Sequence, residues 1–269
     1  MDLNILTEAF KLKPAQAIAF MRAKGYAFSW NWYDTWKESH NQAFTVAKVM
    51  RADILQDIRG MVDKALEEGL TYQQFAKELE PKLQDKGWWG KQKITDETGA
   101  EKEVQLGSPR RLRTIYETNT QMSYSAGRWK GQIASVKYRP YGQYLSVIDK
   151  STTKRCRSLN GLILPLTDPF WKKFYPPNHW GCRATVRTVS QREMDSDNLV
   201  LASSEGRMIE KQVEIGGQNV AVSGFKINDN ETYWCDPGFD YNPGVSSYNT
   251  DLSKYDKDIL KQLQQSRRA

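Results

Sequence analysis

The sequence predicts an α+β protein, with a helical N-terminal part and a long central helix packed on a small β-sheet. Apolar residues recur at helical spacing through most of the first ninety residues and again after residue 108. Short β-branched runs between residues 144 and 189 fit strands instead. A Pro/Trp-rich segment, 149–186, cannot be one continuous helix, because proline removes a backbone donor and disfavours helical geometry in the residue before it. We expect that segment to be irregular and cross-braced.

Residues 1–90 are predicted to form a helical region. A short helix over 14–24 begins with a proline in its first turn and stops at a glycine. Helical spacing of apolar residues also predicts helices over 32–48 and 53–68. Gly69 then ends the third helix, as a left-handed cap residue would.

A capping box and a hairpin follow. Thr71 and Gln74, three residues apart, are typical of the start of another helix. Residues 94–106 surround the sequence TDETGAEK, which predicts a β-hairpin, and we assign 91–107 to a unit that projects from the body.

Residues 108–190 are predicted to form the α+β core. Ser108 followed by Pro109 is a strong helix start, and one apolar stripe continues from there over about six turns. This is the longest predicted helix. Three strands are expected to form a sheet on it: 144–148, 162–164 and 184–189.

Residues 191–269 are predicted to be a C-terminal extension. Its polar first part, 191–205, is expected to be an exposed connection. The next part, 212–225, is broken by two glycines and predicts a hairpin. A short charged helix over 252–265 is expected near the end.

The charge balance is compatible with an anionic partner. The net charge is +7 and the pI is near 9.1, although no block of five or more like charges occurs. Arg110, Arg111 and Arg113 lie near a predicted helix N-terminus, where side chains and free amides could bind phosphate together. The alternative is that these three arginines form ion pairs within the chain or between subunits.

The cysteines and one histidine form the main candidate for metal chemistry. Cys156, His179 and Cys182 carry atoms that bind zinc, and Cys235 could complete a tetrahedral set. Their spacing is not that of a zinc finger or zinc ribbon. Buried thiols beside a hydrogen-bonded histidine are the alternative. A Cys/His nucleophilic pair lacks any surrounding nucleophile signature.

Motifs of other chemistries are missing from the sequence. There is no glycine-rich phosphate loop, no His-Glu-x-x-His and no Gly-x-Ser-x-Gly. No run of eighteen uncharged apolar residues occurs, and the first twenty residues are too interrupted by charge for a secretory signal. We expect a protein with no membrane segment and no cofactor, with zinc as the open alternative.

Several long motifs occur together. The 149–186 segment contains LNG at 159–161, DPFW at 168–171 and PPNHWGCR at 176–183. Elsewhere stand FSWNWYDTWKESHNQAFTVAKVMRADIL at 28–55, GWWGK at 87–91, QLGSPRRLRTIYETN at 105–119 and FDYNPG at 239–244. In this order they resemble the phage Mu F-like head-morphogenesis family, the minor head proteins of tailed phages. The resemblance covers roughly residues 14–190 and the 239–244 loop.

The resemblance implies a structural role in the phage head. Members of the family are incorporated in few copies inside the procapsid, associated with the portal, and influence head assembly or the fate of packaged DNA. The implied partners are portal, scaffold or major capsid subunits. The implied location is the virion, after assembly in the host cytoplasm. The family brings no established catalytic residue, so we predict that the chain is not an enzyme.

The resemblance also bears on the site residues. Many members have Cys-Arg-Cys where this chain has Cys182, Arg183 and Ala184, which weakens the zinc hypothesis. Cys156 stands where Mu-like members often have histidine, so a ligand or hydrogen-bonding role is implied for it. We predict an architectural role for nine residues of the segment: Asp149, Cys156, Asp168, Trp171, Pro176, Pro177, His179, Cys182 and Arg183.

Two rival functions stay open. One is a nucleic-acid-binding head protein whose basic surface contacts double-stranded DNA of the genome. The other is a zinc-dependent hydrolase or transferase built on Cys156, His179 and Cys182, since this domain type is also found fused to toxin domains.

Overall fold

The computed structural model describes residues 15–33, 43–95, 101–150 and 152–245. Helices and small sheets both occur in these ranges, so the predicted α+β class is confirmed. The division of the chain at residues 90, 107 and 190 stays a prediction. None of the described helices combines the length and the hydropathy that a membrane-crossing segment needs.

Three helices form the N-terminal layer: α1 (Ala15–Arg22), α2 (Ala52–Glu68) and α3 (Tyr72–Asp85). Gly69 ends α2 in the left-handed conformation with φ 67°, as predicted. The capping box before α3 is also confirmed. The Thr71 side chain accepts a hydrogen bond from the Gln74 backbone amide, and the Gln74 side chain accepts one from the Thr71 backbone amide. The apolar side of each helix faces the same buried cluster, which we call the N-terminal core. This core includes Met21, Phe44, Ile54, Leu55, Ile58, Val62, Phe75, Leu79, Leu83 and Leu112.

The helix predicted over 32–48 is wrong at its C-terminal end, while 34–42 lie outside the described residues. Ala43–Phe44 form strand β2, which pairs in parallel with β1 (Gly25–Tyr26). The Lys48 amide donates to the Ser29 carbonyl at 2.9 Å, beside an isolated antiparallel bridge between Ser29 and Val49. An extended chain thus buries Phe44 completely. Helical spacing misled here because a short apolar run fits either period.

The predicted hairpin is present. Strands β3 (Lys91–Thr95) and β4 (Glu101–Gln105) pair antiparallel, with Lys91 opposite Gln105. Its tip, 96–100, lies outside the described residues. At the base of the hairpin, the Gly90 amide donates to the Gly107 carbonyl and the Leu106 amide donates to the Gly90 carbonyl, each at 2.9 Å.

The long helix α4 (Pro109–Ala134) has 26 residues and begins as predicted, with Ser108 accepting a bond from the Arg111 amide. Its first turns place Leu112 in the N-terminal core. Its last turns place Trp129 in a second buried cluster, the C-terminal core, which also includes Tyr144, Leu164, Phe170, Trp171, Phe174, Tyr175, Val186, Phe225 and Tyr233. One helix therefore joins the two cores.

A three-stranded antiparallel sheet packs on the C-terminal half of α4. Its strands are β5 (Tyr141–Leu145), β6 (Ile163–Pro165) and β7 (Thr185–Val189), with β5 in the centre. The Gln132 side chain of the helix donates to the Val186 carbonyl at 2.7 Å.

Strand β5 lies three residues earlier than predicted. Gly142 carries no side chain because the Trp171 ring occupies that space: a Cβ there would come within 2.8 Å of it. The expected alternation of side chains is therefore missing from the start of this strand.

The chain after residue 190 differs from the prediction in two elements. The first part of the connection predicted over 191–205 is instead a helix, α7 (Gln191–Ser196). This helix begins with a capping box that the sequence analysis does not predict. The predicted hairpin is present as β8 (Met208–Ile215) and β9 (Gln218–Asn228), and β10 (Glu231–Trp234) adds an unpredicted third strand. The helix predicted over 252–265 lies outside the described residues.

Candidate functional site

The 149–186 segment is irregular, as expected, and its described residues, 149–150 and 152–186, contain only two five-residue helices besides β6 and the start of β7. These are α5 (Lys154–Ser158) and α6 (Phe170–Phe174). Short elements of this size depend on side-chain contacts for their positions. The residues predicted to brace the segment supply many of those contacts.

An ion pair closes the two ends of the segment. Arg183 donates to both carboxylate oxygens of Asp149, at 2.6 and 2.7 Å. Arg157 donates to the Asp149 backbone carbonyl at 2.7 Å, which adds the end of α5 to the same point. Both partners of the ion pair are well exposed, so the pair contributes little stability and mainly fixes the path of the loop.

Asp168 and Trp171 attach α6 to its neighbours. The Asp168 carboxylate accepts from the Phe170 amide at 2.8 Å and from the Ser204 amide at 3.3 Å. The Trp171 ring is only 1% exposed, and its Nε1 donates to the Pro165 carbonyl at 2.9 Å. Asn242 donates to the Trp171 carbonyl at 2.9 Å, so the 239–244 loop is tied to the segment.

Pro176 and Pro177 are joined by a cis peptide bond and are both buried. The residue that follows them, Asn178, accepts a bond from the Tyr144 hydroxyl at 2.9 Å. Its own carbonyl accepts from the Asp236 amide at 2.9 Å. The segment is thereby attached to the central strand β5 on one side and to the chain after β10 on the other.

A thiol and an imidazole meet beside these prolines. The distance between Cys156 Sγ and His179 Nε2 is 2.9 Å. The other ring nitrogen, Nδ1, lies 2.9 Å from the Trp180 carbonyl, which can only accept, so Nδ1 carries a proton. Thr153 donates from its hydroxyl to the Cys156 sulfur at 3.1 Å. The two side chains therefore form a hydrogen-bonded pair with a fixed ring orientation.

This pairing changes the pKa values of both groups. Burial opposes ionisation of Cys156, but bonds from His179 and Thr153 outweigh it and lower the pKa of the thiol. Burial alone would lower the pKa of His179, yet its bonds to Cys156 and Cys182 raise it to about 10. Both directions favour a thiolate beside an imidazolium.

The remaining thiols differ from Cys156. Cys182 and Cys235 are 2% and 3% exposed, and burial raises the pKa of the Cys235 thiol well above its ordinary value. Within the described ranges, no group of three or more His, Cys, Asp or Glu side chains is placed to hold a metal ion. The structure thus gives no support to a four-ligand site of Cys156, His179, Cys182 and Cys235. Zinc binding stays a prediction.

The three candidate arginines lie in different surroundings. Arg111 donates to the Gln105 and Leu106 carbonyls at 3.0 and 2.7 Å, and its guanidinium stacks over the Trp88 ring. Burial lowers its pKa. It therefore acts as an internal brace between the hairpin and α4. Arg110 and Arg113 are exposed, and Arg113 pairs with Glu117 at 3.4 Å.

An exposed aromatic ring, Trp180, follows His179 directly in the chain. Trp180 is 46% exposed, and its ring lies 4.8 Å from Phe239 and 6.2 Å from Trp32. Phe28 and Trp30 are also exposed. Trp32 and Trp180, which lie far apart in sequence, thus place two exposed rings beside each other, which sequence analysis did not predict because no periodic pattern connects them.

Sequence reasoning also missed polar partners of the segment. Tyr144, Asn178 and Asn242 are buried and hold it through the bonds described above. Asp236 pairs with Arg155 at 2.7 Å. Most of these residues lie tens of positions from their partners. The one available signal was the presence of Asn178 and Asn242 within the recognised motifs.

Comparison with known proteins identifies the family. Residues 56–187 match the family model described as "Phage Mu protein F like protein". The chain is 40% identical over 252 residues to "Putative capsid assembly protein F" of Escherichia phage Mu, a match that covers 91% of this chain and 57% of that protein. It is 39% identical over 243 residues to "Mu-like prophage FluMu F protein" of Haemophilus influenzae, covering 88% of this chain and 56% of the relative.

The chain thus spans less than three fifths of the length of these curated relatives. No solved structure gives a significant match. The family match begins within α2, contains α3 and the long helix α4, and ends within β7. The chain belongs to the family of phage Mu protein F like proteins.

Proposed function

We propose that the chain acts in assembly of the phage head as a minor structural protein, close to the portal and the packaged DNA. The observation that carries this proposal is the 40% identity, over 91% of the chain, to a protein named as a putative capsid assembly protein. The partners would be portal, scaffold or major capsid subunits. We also propose that the role is not enzymatic.

The surface of the site supports a role in contact with other subunits. Trp32 and Trp180 expose 44% and 46% of their surface, and their ring centroids lie 6.2 Å apart. Tryptophan supplies a large contact area with few rotatable bonds, and it is enriched where protein interfaces gain most of their affinity. The backbone that carries Trp180 is held by Asp236, because the Trp180 amide donates to the Asp236 carboxylate at 3.2 Å and the preceding Asn178 carbonyl accepts from the Asp236 amide at 2.9 Å.

Deletion of the gene in an inducible Mu-like prophage tests this proposal. We expect the deletion to leave few normal DNA-filled heads in electron micrographs of the lysate, and the complete gene supplied in trans to restore them. Normal head numbers and normal infectivity without the gene would contradict a role in assembly.

A second candidate function is contact with the packaged DNA. The net charge of +7 favours it, and Arg110 and Arg113 are exposed at the start of α4. Because each phosphate contact releases counterions, affinity for double-stranded DNA should fall steeply as salt rises. Replacing both arginines with alanine should reduce the slope of log K against log salt by about two.

Fluorescence anisotropy with a DNA duplex at several salt concentrations measures this slope. The control is the double replacement Lys172→Ala/Arg192→Ala, which removes two exposed positive charges elsewhere. Equal slopes for the two variants would contradict a contact at Arg110 and Arg113, and absent or salt-independent binding would remove DNA contact altogether.

A further inference from the structure

Four exposed aromatic side chains alternate along the chain from β1 onward. Tyr26, Phe28, Trp30 and Trp32 are each separated by one residue, and each exposes between 39% and 53% of its surface. Ser29, in the middle of this stretch, is 4% exposed. Exposure with a period of two is that of an extended chain with one face toward solvent. We call the four residues the aromatic stripe.

Backbone contacts attach the inner side of this stretch to the N-terminal core. The Ala27 amide donates to the Phe44 carbonyl at 3.1 Å, and Ser29 forms an antiparallel bridge with the fully buried Val49. The hydroxyl oxygens of Ser29 and Thr45 lie 2.7 Å apart. The exposed rings are therefore carried on a backbone that is bonded to its neighbours.

Two further apolar side chains extend the aromatic stripe. The register of the bridge places Met50, which is 56% exposed, opposite Phe28. At the other end, Trp32 lies 6.2 Å from Trp180. Together these six side chains expose on the order of 500 Å². Exposed apolar surface of this size is typical of an interaction site.

The charges around the aromatic stripe favour an apolar partner over a nucleic acid. Residues 25–33 include no charged side chain. Lys24, directly before them, is 3% exposed, and Arg59 is 8% exposed and stacks over the Tyr26 ring. Lys48, whose amide bonds to Ser29, is one cation beside four rings. A platform for single-stranded nucleic acid instead combines its rings with a positively charged groove along the phosphates.

The exposed area argues against a second copy of this chain as the partner. Each side of a standard protein interface buries about 800 Å². Two aromatic stripes that face each other would bury less than this on each side, so they would not hold a stable dimer by themselves. A contact of this size can hold a subunit inside an assembly, where other contacts add to it.

We propose that the aromatic stripe, with Met50 and Trp180, is the surface through which the chain packs on an uncharged, apolar surface of a different subunit of the head. Aromatic side chains and methionine are enriched in the centre of such interfaces, and charged side chains are depleted there. The proposal deepens the head-assembly role and rests on it.

Complementation of the deleted prophage with variants tests this proposal. Phe28→Ser/Met50→Ser removes two side chains of the surface, and the control Tyr138→Ser/Ile148→Ser removes two that are 75% and 46% exposed elsewhere. Quantitative mass spectrometry of purified heads gives the copies per particle. We expect the first variant to fall at least about ten-fold, because a buried aromatic contact is lost, and the control to match the wild type. Both variants should melt like the wild type.

The outcomes separate this proposal from the head-assembly role. Equal incorporation of the wild type and Phe28→Ser/Met50→Ser, or an equal fall for both variants, would overturn the proposal and leave the role in assembly intact. Absence of the wild-type chain from heads would overturn both.

Two measurements on the purified chain test the other partners. Sedimentation should give the same oligomeric state for the wild type and Phe28→Ser/Met50→Ser, and fluorescence anisotropy with a labelled single-stranded oligonucleotide should give the same affinity. A dimer or an oligonucleotide complex that only the variant loses would overturn the proposal, since it would assign the surface to a second copy or to nucleic acid.

Hydroxyl-radical oxidation of the wild type decides the proposal if the variant does not fold. Met50 should be oxidised less in purified heads than in the purified chain, while Tyr138 is oxidised to the same extent in both. Equal oxidation of Met50 in the two samples, or equal protection of Met50 and Tyr138, would contradict the proposal.

Discussion

Lys24 is a buried charge with little to balance it. Its side chain is 3% exposed, and Nζ has no hydrogen-bond partner among the described residues. The Phe20 ring lies 5.0 Å away and offers only a weak attraction. Burial, and to a lesser extent the positive Arg59, lower the pKa of Lys24 to about 7. The ammonium form of Lys24 therefore destabilises the folded protein.

Replacing Lys24 with methionine should stabilise the protein most below pH 7, where lysine is protonated in both states and the cost is complete. Between pH 7 and 10.5 the unfolded chain binds a proton at Lys24 that the folded chain lacks. The stability of the wild type therefore rises with pH, and the difference in free energy of unfolding between the variant and the wild type becomes smaller. The gain at pH 6 should be about 2–5 kcal/mol, taking about 1.4 kcal/mol per pKa unit as an upper limit. Urea unfolding at pH 6 and pH 9 measures it, and a loss of stability at pH 6 would show that the ammonium group is compensated.

Individual site residues were predictable to differing degrees. Asp149, Asp168 and Trp171 stand in recognisable motifs, and each makes a bracing contact in the structure. The bond between Cys156 and His179 spans 23 positions, and sequence offered only residue types that suit such a bond. Lys24 carried no signal at all, because burial of one residue at the end of a short helix depends on tertiary packing.

At the scale of elements, helix α6 shows how a short irregular segment is held. Phe170, Trp171 and Phe174 are all buried. The Phe170 ring packs on Trp171 and on Phe174, and Phe170 and Phe174 both pack on Phe225 of β9. A five-residue helix cannot be stable alone, since forming one turn costs more than it returns. Its aromatic side chains therefore anchor the whole segment to the C-terminal core.

Replacing Trp171 with alanine should destabilise the protein by about 3–5 kcal/mol, because a large ring is lost from a packed core and the Pro165 carbonyl loses its donor. The matched control is Trp180→Ala. That ring is half exposed, so its loss should cost less than about 1.5 kcal/mol. Denaturant unfolding of both variants measures the difference. A melting temperature like that of wild type for Trp171→Ala would reject its place in the core.

Elements with explicit start and stop signals were predicted well. Helices α2, α3 and α4 have a glycine cap, a capping box or a Ser-Pro start, and the predicted bounds of α2 and the predicted starts of α3 and α4 agree closely with the structure. The pattern over 32–48 had apolar spacing without such signals, and its last part is a strand instead. Strand β5 was misplaced because a glycine that accommodates the Trp171 ring interrupts its alternation. Periodicity alone was thus a weaker guide than periodicity with caps.

At the scale of the whole molecule, α4 joins the two cores and is the element around which the described residues are arranged. Its N-terminal half faces α2 and α3, and its C-terminal half faces the sheet of β5, β6 and β7. The family match begins within α2 and ends in β7, so it includes both halves of this arrangement. Trp32, which precedes α2, and Trp180, which lies between β6 and β7, are both exposed and lie 6.2 Å apart.

The measurement that tests the head-assembly account most directly is the protein content of purified heads. DNA-filled heads from the induced prophage, freed of lysate proteins on a density gradient, would be analysed by quantitative mass spectrometry. The account predicts that peptides of this chain copurify with the heads, at a few copies per particle against the major capsid subunit. Their absence from both heads and procapsids, with the protein remaining in the soluble fraction, would contradict it.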